Sequence, residues 1–354
     1  MARVLMKGNE AIGAAAINAG CRYFFGYPIT PQNELPEYMS RELPNVGGVY
    51  LQAESEVAAI NMVYGAAGAG ARVMTSSSSP GISLKQEGIS YIAGAELPCV
   101  VVNVMRAGPG LGGIQPAQAD YYQATKGGGH GDYHLLVLAP ANLQETVELV
   151  ETAFDLADLY RNPVMILADG MIGQIMEPVE IKPYTPRPNL PPKDWTTTGT
   201  SASGGRRRII NSLFLDPDEL EAHVLHLYEK YAEMARQEIR YELYNCENAS
   251  VILVAYGTTA RIARTAIEQC QRKGISAGLL RPISLYPFPF PAFEHVIDIP
   301  QAFLTVEMSM GQMLDDVKIA VAGRKPVHFY GRTGGNVPMP EDIVAKIEEM
   351  LRLK

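Results

Sequence analysis

From residue 10 to about residue 175, stretches whose apolar residues recur at helical spacing alternate with short runs of β-branched and aromatic residues. The β-rich runs are Tyr23-Phe24-Phe25, Val49-Tyr50-Leu51, Arg72-Val73-Met74-Thr75, 99–104, 135–138 and 164–167. Alternation of this kind predicts a parallel sheet covered by helices on both faces, and such sheets take ligands at the C-terminal ends of their strands. Two of the runs lead into Gly or Pro loops, Gly26-Tyr27-Pro28 and Ser79-Pro80-Gly81, where backbone can approach a ligand closely.

The pattern then breaks. Pro178, Pro183, Pro186, Pro188, Pro191 and Pro192 are too many for regular structure, so this stretch reads as a linker or an arm, continued by a Thr/Ser/Gly segment over 196–205. Over 216–244 the chain is highly charged, with Leu220, Val224, Leu227, Tyr231 and Met234 at helical spacing, which predicts one long amphipathic helix. A second α/β unit begins near Ser250, with strands over 251–255, 277–280, 303–306 and 327–330, and helices over 259–273, 311–322 and after Pro340. The expected domains are therefore 1–177, an arm and helix over 178–249, and 250–354.

A chain of 354 residues, 47% hydrophobic and 19% charged, is long and apolar enough for two or three domains. Its net charge of -8 argues against a nucleic-acid partner, because phosphate neutralisation needs concentrated Lys and Arg. No segment approaches the roughly 20 apolar residues that span a bilayer, and the N-terminus, with Lys7 and Glu10, lacks the core of a signal peptide, so a cytoplasmic protein with no membrane partner is expected. Cys21, Cys99, Cys246 and Cys270 form no CxxC pair, so neither zinc nor an iron–sulfur cluster is expected on this chain.

Four segments carry candidate chemistry. In Gly26-Tyr27-Pro28-Ile29-Thr30-Pro31 two prolines hold Thr30 in a rigid loop before a helix; its hydroxyl is either preorganised for a ligand or an ordinary helix cap. Glu54 and Glu56 open an Ala-rich helix, where acidic residues also serve the macrodipole; two apart, they point about 200° from each other, so one of them at most is buried toward a ligand. Arg106 ends an apolar strand before a Gly-rich loop, a setting suited to bidentate capture of a small carboxylate and equally to a surface ion pair. The glycines over 108–113 have neither Rossmann nor P-loop spacing. His130, Asp132 and His134 lie in a glycine loop with nothing to fix a metal geometry, and Arg206-Arg207-Arg208 reads as a solvated loop edge.

Taken together, Gly26–Pro31, 52–61, 74–88 with its Ser-Ser-Ser-Ser-Pro-Gly turn, Arg106 in its glycine setting, and Val306-Glu307-Met308 followed by Gly311-Gln312-Met313 resemble the alpha subunits of the thiamine diphosphate-dependent 2-oxoacid:ferredoxin oxidoreductases. The resemblance is greatest to the branched-chain (3-methyl-2-oxobutanoate, or 2-oxoisovalerate) type, and next to those acting on 2-oxoglutarate. It implies an α/β pyrimidine-binding domain followed by a transketolase C-terminal-like domain that packs in the assembly without chemistry of its own. It also implies roles. Glu56 matches the glutamate that hydrogen-bonds the cofactor aminopyrimidine and promotes its imino tautomer, whose nitrogen deprotonates the thiazolium carbon. Thr30 matches the substrate-contacting threonine, Arg106 the arginine that holds the 2-oxoacid carboxylate, and Tyr27, Pro28, Ile29, Ser79 and Gly81 the surrounding cofactor contacts.

The diphosphate of thiamine diphosphate is usually held through Mg²⁺ by a Gly-Asp-Gly motif and a downstream Asn; Asp169-Gly170 follows a strand but lacks the remaining ligands. The resemblance therefore implies a beta subunit that supplies the diphosphate site, Mg²⁺ and the route to an iron–sulfur cluster. Gamma and ferredoxin-like delta subunits can complete the assembly, with coenzyme A as co-substrate and ferredoxin as acceptor. The alternatives are a 2-oxoglutarate enzyme and, more remotely, a scaffold subunit that has lost the chemistry.

Overall fold

The most apolar runs of the chain lie deepest. In the computed structural model, which describes residues 3–202 and 204–352, Cys99–Met105 and Pro163–Asp169 pair in parallel with every residue buried. Strands covered on both faces have no solvent side, hence their unbroken rather than alternating hydrophobicity. They form the middle of a seven-stranded sheet that runs, edge to edge, Ser284–Tyr286, Leu136–Leu138, Pro163–Asp169, Cys99–Met105, Val73–Ser77, Tyr23–Gly26 and Val49–Gln52. The last six strands are mutually parallel, so the loops at their C-terminal ends all open on one side.

The second unit is a five-stranded sheet in the order Val327–Gly331, Ala302–Glu307, Val251–Val254, Ala277–Pro282 and Tyr241–Tyr244. Its last strand is antiparallel to its neighbour. This corrects the helix expected over 216–244. The helix is Pro217–Gln237, started by Asp216, whose side chain accepts from the backbone of Asp218 and Glu219, and seated on buried Leu227, Tyr231 and Met234. Beyond it the apolar period changes from helical to two, with Ile239, Tyr241 and Leu243, and the chain pairs as an edge strand instead.

Two short strands also cross the expected boundaries. Ser284–Tyr286 leaves the second unit to pair antiparallel with Leu136–Leu138 of the first. Met176–Val179, which straddles the expected start of the arm, pairs with Val4–Lys7. Short edge pairings of three or four residues carry too little hydrophobic pattern to be read locally.

The Pro-rich segment is an arm bound to the first unit. The Thr197 N–H donates to the Gly68 carbonyl at 3.0 Å, Lys193 pairs with Asp158 at 2.7 Å, and the Arg161 guanidinium stacks 4.6 Å from the Trp195 ring centroid. No helix among the described residues is long and apolar enough to cross a membrane.

Candidate active site

Four neighbouring parallel strands deliver the site. The loops after Val49–Gln52, Tyr23–Gly26, Val73–Ser77 and Cys99–Met105 bring up Glu56, Thr30, Ser79 and Arg106 in that spatial order. Residues up to 76 apart in sequence thereby meet: the Arg106 Nη1 donates to the Thr30 carbonyl at 3.1 Å.

Arg106 is buried and, among the described residues, has no carboxylate partner. Its Nη2 donates to the Leu111 carbonyl at 3.2 Å, and its Nε is buried without a hydrogen-bond partner. A guanidinium held by two neutral carbonyls keeps its full charge available to an anion. The surface ion pair left open by the sequence is therefore not made.

Thr30 does not cap the following helix, which is Glu34–Glu42 and begins at Asn33. Its peptide bond to Pro31 is cis, and its hydroxyl accepts from Asn33 Nδ2 at 3.4 Å. Tyr27 and Pro28 are exposed at the loop tip, and Ile29 and Thr30 half-buried. Gln32, fully buried, anchors the loop: it accepts from the Ser76 hydroxyl at 2.5 Å and donates to the Tyr27 carbonyl at 3.4 Å.

Glu56 is the first residue of the helix Glu56–Gly68, capped by Ser55, whose hydroxyl accepts from the Ala58 N–H at 3.2 Å. Of the two glutamates, Glu56 is buried and Glu54 exposed; the helix starts at Glu56, so Glu54 lies before the extended cap residue Ser55 and not on the helix as expected. Among the described residues no group hydrogen-bonds the Glu56 carboxylate. Beside it the Ser77 hydroxyl is also buried without a partner. Gly81 abuts both, and a Cβ there would overlap the Ser77 oxygen and the Glu56 carboxylate. A buried acceptor and a buried hydroxyl left open over a glycine are the features of a surface that a polar ligand completes.

Ser79 and Pro80, the residues before Gly81, line a cavity of about 340 Å³ that Arg106 and Asp120 also enter. Ser79 has φ +23°, a strained value for a residue with a side chain, and three hydrogen bonds hold it there, two of them to partners that are bonded to each other. Its N–H donates to Asn103 Oδ1 at 3.1 Å and its hydroxyl to Asp120 Oδ2 at 2.6 Å. The Arg106 N–H donates to that hydroxyl at 3.0 Å, and Asn103 Nδ2 donates to Asp120 Oδ2 at 2.9 Å. Burial raises the Asp120 carboxyl above its ordinary value, against the lowering effect of its bonds to Ser79 and Asn103.

The second unit, expected to pack in the assembly without chemistry of its own, reaches this cavity. Met310, Gln312 and Thr333 line it. Gln312 Nε2 donates to the Ala119 carbonyl at 2.7 Å, and the Gln118 N–H to the Met308 carbonyl at 2.8 Å. The connecting loop is fixed by Glu307, whose buried carboxylate accepts from the backbone N–H groups of Gln312, Met313 and Leu314 and from the Ser309 hydroxyl. Asp169, likewise buried, caps the helix Gly170–Gln174 and accepts from the Thr258 hydroxyl at 2.7 Å, so it joins the two units and is not aimed at a ligand.

Sequence reasoning passed over Ser77, Asn103 and Asp120 as site residues. Asp120 has no local signature.

Residues 14–239 match the family described as "Pyruvate flavodoxin/ferredoxin oxidoreductase, thiamine diP-bdg", and residues 249–343 match "Pyruvate:ferredoxin oxidoreductase core domain II". Fold and strand-end site thus define a thiamine diphosphate-binding α/β protein. The chain belongs to the 2-oxoacid:ferredoxin oxidoreductase family, as an oxidoreductase subunit. It is 50% identical, over 99% of its length and 98% of the relative's, to ketoisovalerate oxidoreductase subunit VorB of Methanothermobacter thermautotrophicus. It is 37% identical, over 97% of its length and 98% of the relative's, to 2-oxoglutarate synthase subunit KorA of Archaeoglobus fulgidus. Among solved structures it resembles the 2-oxoglutarate:ferredoxin oxidoreductase of Magnetococcus marinus with 2-oxoglutarate, coenzyme A and succinyl-CoA bound, with a TM-score of 0.88 and 27% identity, covering 98% of this chain and 65% of that one.

Proposed function

We propose that this chain is the pyrimidine-side subunit of a ferredoxin-linked oxidoreductase for branched-chain 2-oxoacids, converting 3-methyl-2-oxobutanoate and coenzyme A to the acyl-CoA and CO₂. The observation that carries the substrate class is the lining of the cavity. Arg106 is the one basic residue in its lining and Asp120 the one acidic residue; the rest is apolar or neutral, with Pro80, Pro109 and Met310 beside Gln312 and Thr333. A guanidinium serves one carboxylate. A second carboxylate, as on 2-oxoglutarate, would meet Asp120 rather than another cation. The likeness to the ketoisovalerate subunits, 50% and 51%, against 33–37% for the 2-oxoglutarate subunits, points the same way.

In this reading Glu56 holds the aminopyrimidine and exchanges a proton with its ring nitrogen, while Gly81 and the Ser77 hydroxyl give the ring a close-fitting floor. Tyr27, Pro28, Ile29 and Ser79 are assigned the remaining cofactor contacts. Thr30 and Arg106 orient the 2-oxoacid, with Arg106 receiving its carboxylate. Thiamine diphosphate supplies the electron sink for decarboxylation when bound. The diphosphate, its Mg²⁺ and the iron–sulfur route are assigned to partner subunits: no group of three or more His, Cys, Asp or Glu among the described residues could hold a metal, and the four cysteines are buried and free. Ferredoxin is the acceptor and the cytoplasm the compartment.

The test is dye reduction by the complex purified with its native partners. With coenzyme A present, kcat/KM for 3-methyl-2-oxobutanoate should exceed that for 2-oxoglutarate by roughly tenfold or more; the reverse ranking would replace the substrate assignment.

A further inference from the structure

Asn103 is the one amide in an otherwise apolar strand, Cys99–Met105, and it is fully buried. An amide buried there must find both a donor and an acceptor. Asn103 finds each on a different segment: its Oδ1 accepts from the Ser79 N–H at 3.1 Å, and its Nδ2 donates to Asp120 Oδ2 at 2.9 Å. The Ser79 hydroxyl closes the ring by donating to the same Asp120 oxygen at 2.6 Å, and it accepts from the Arg106 N–H at 3.0 Å. The partners fix the orientation of the amide, since an N–H requires an oxygen and a carboxylate requires a donor.

Closing a loop accounts for one such bond. Here both partners, Ser79 and Asp120, line the cavity together with Arg106, whereas Asn103 does not. Ser79, at φ +23°, is strained, so its conformation persists only while its bonds hold it. It directly precedes Pro80 and Gly81, the start of the helix that abuts Glu56. Asn103 is thus tied to the substrate side of the site through the Arg106 N–H and to the cofactor side through the backbone of Ser79.

We propose that Asn103 is a positioning residue for the reaction: it holds Ser79 and Asp120 in the ring that sets Arg106 for the 2-oxoacid carboxylate and Gly81 beneath Glu56, without lining the cavity itself. The inference rests on the reading of Arg106 as the carboxylate-binding residue. The double role of the amide gives it a distinctive signature. Asn103→Asp keeps the shape and, while protonated, both bonding roles, with C=O accepting from Ser79 and O–H donating to Asp120. Once ionised it sets one carboxylate against another. Two buried carboxyls in contact share one proton and release it only above the ordinary carboxyl range, so the ring should open as pH rises.

The experiment uses the assembled complex and follows KM and kcat for 3-methyl-2-oxobutanoate, and the dissociation constant for thiamine diphosphate by equilibrium binding of labelled cofactor, from about pH 6 to about pH 9. In Asn103→Asp, KM should lie within about threefold of wild type at the acid end and about 10- to 100-fold above it at the alkaline end, the scale of a misplaced binding group. The cofactor dissociation constant should rise in step, while kcat at saturating substrate and cofactor changes by less than about threefold. Asn103→Ala removes both bonds at every pH, should raise both constants without that pH dependence, and decides the question if Asn103→Asp does not assemble. A lowered Tm with wild-type KM and cofactor binding in the variant that assembles, or loss of assembly in both, would reduce Asn103 to a folding role and overturn the proposal. Arg106→Lys, run in parallel, should raise KM at every pH; if it does not, the assignment of Arg106 itself fails, whatever Asn103 does.

Discussion

Gly81 lies so close beneath Glu56 that one added methyl group would overlap both the glutamate carboxylate and the Ser77 hydroxyl. Gly81→Ala should therefore displace Glu56 or the strand end, at an overpacking cost of about 1–3 kcal/mol, and weaken thiamine diphosphate binding by roughly tenfold or more. Gly65 provides the contrast. It sits in the Glu56 helix with open space where a Cβ would go, so Gly65→Ala should stabilise the chain by about 0.5–1 kcal/mol. Urea unfolding and equilibrium cofactor binding of the two variants check both expectations.

Arg106 holds two carbonyls in a fixed fork and leaves its charge open to the cavity. Lysine keeps the charge but cannot keep the fork. Arg106→Lys should raise KM for the 2-oxoacid by about 10- to 100-fold, the worth of a charge-assisted hydrogen bond, with a smaller change in kcat. Steady-state kinetics of the complex separate the two.

Lys85 gives a pH dependence of stability whose sign follows from its depressed value. The unfolded chain keeps a proton on this lysine to near 10.5, whereas the folded chain releases it at about 7. The stability cost of burying the charge is thus full below about 7 and shrinks as pH rises toward 10.5. Lys85→Met should raise the Tm most at about pH 6 and least at about pH 10, measured by calorimetry of the full chain.

The two α/β units are joined by an ion pair between buried Arg281 and half-buried Glu145, with Arg281 donating to both carboxylate oxygens at 2.7 and 2.8 Å. Arg281 also reaches Glu242 at 2.9 Å. Arg281→Met takes the cation from Glu145, while Glu242 keeps Arg264, and should cost about 1–3 kcal/mol on denaturant unfolding. Because the pair lies outside the cavity, KM for the 2-oxoacid should not move.

Much of this was legible from the chain alone, and for physical reasons. Cys99–Met105 and Pro163–Asp169 announce themselves because a doubly covered strand is apolar throughout. That one at most of Glu54 and Glu56 would be buried was legible, but Glu54 lies before the helix, so it is the extended cap residue Ser55 and not the helical angle that parts them. Arg106 stood out as a lone charge at the end of an apolar strand. What escaped depends on long-range placement. Asp120 joins Ser79 and Asn103 across 41 and 17 positions, Met310 and Gln312 reach the cavity from the second unit, and Ser284–Tyr286 crosses to the first sheet. None of these has a local period or motif.

In the proposed function, Glu56 is this chain's proton-exchanging contact to the aminopyrimidine of a cofactor shared with a partner subunit. Its most direct test is single-turnover CO₂ release from 3-methyl-2-oxobutanoate labelled at C1, by a fully assembled Glu56→Gln complex loaded with thiamine diphosphate. A fall of about 100-fold or more is predicted, the scale of a lost proton-transfer group. Release at the wild-type rate would contradict the account.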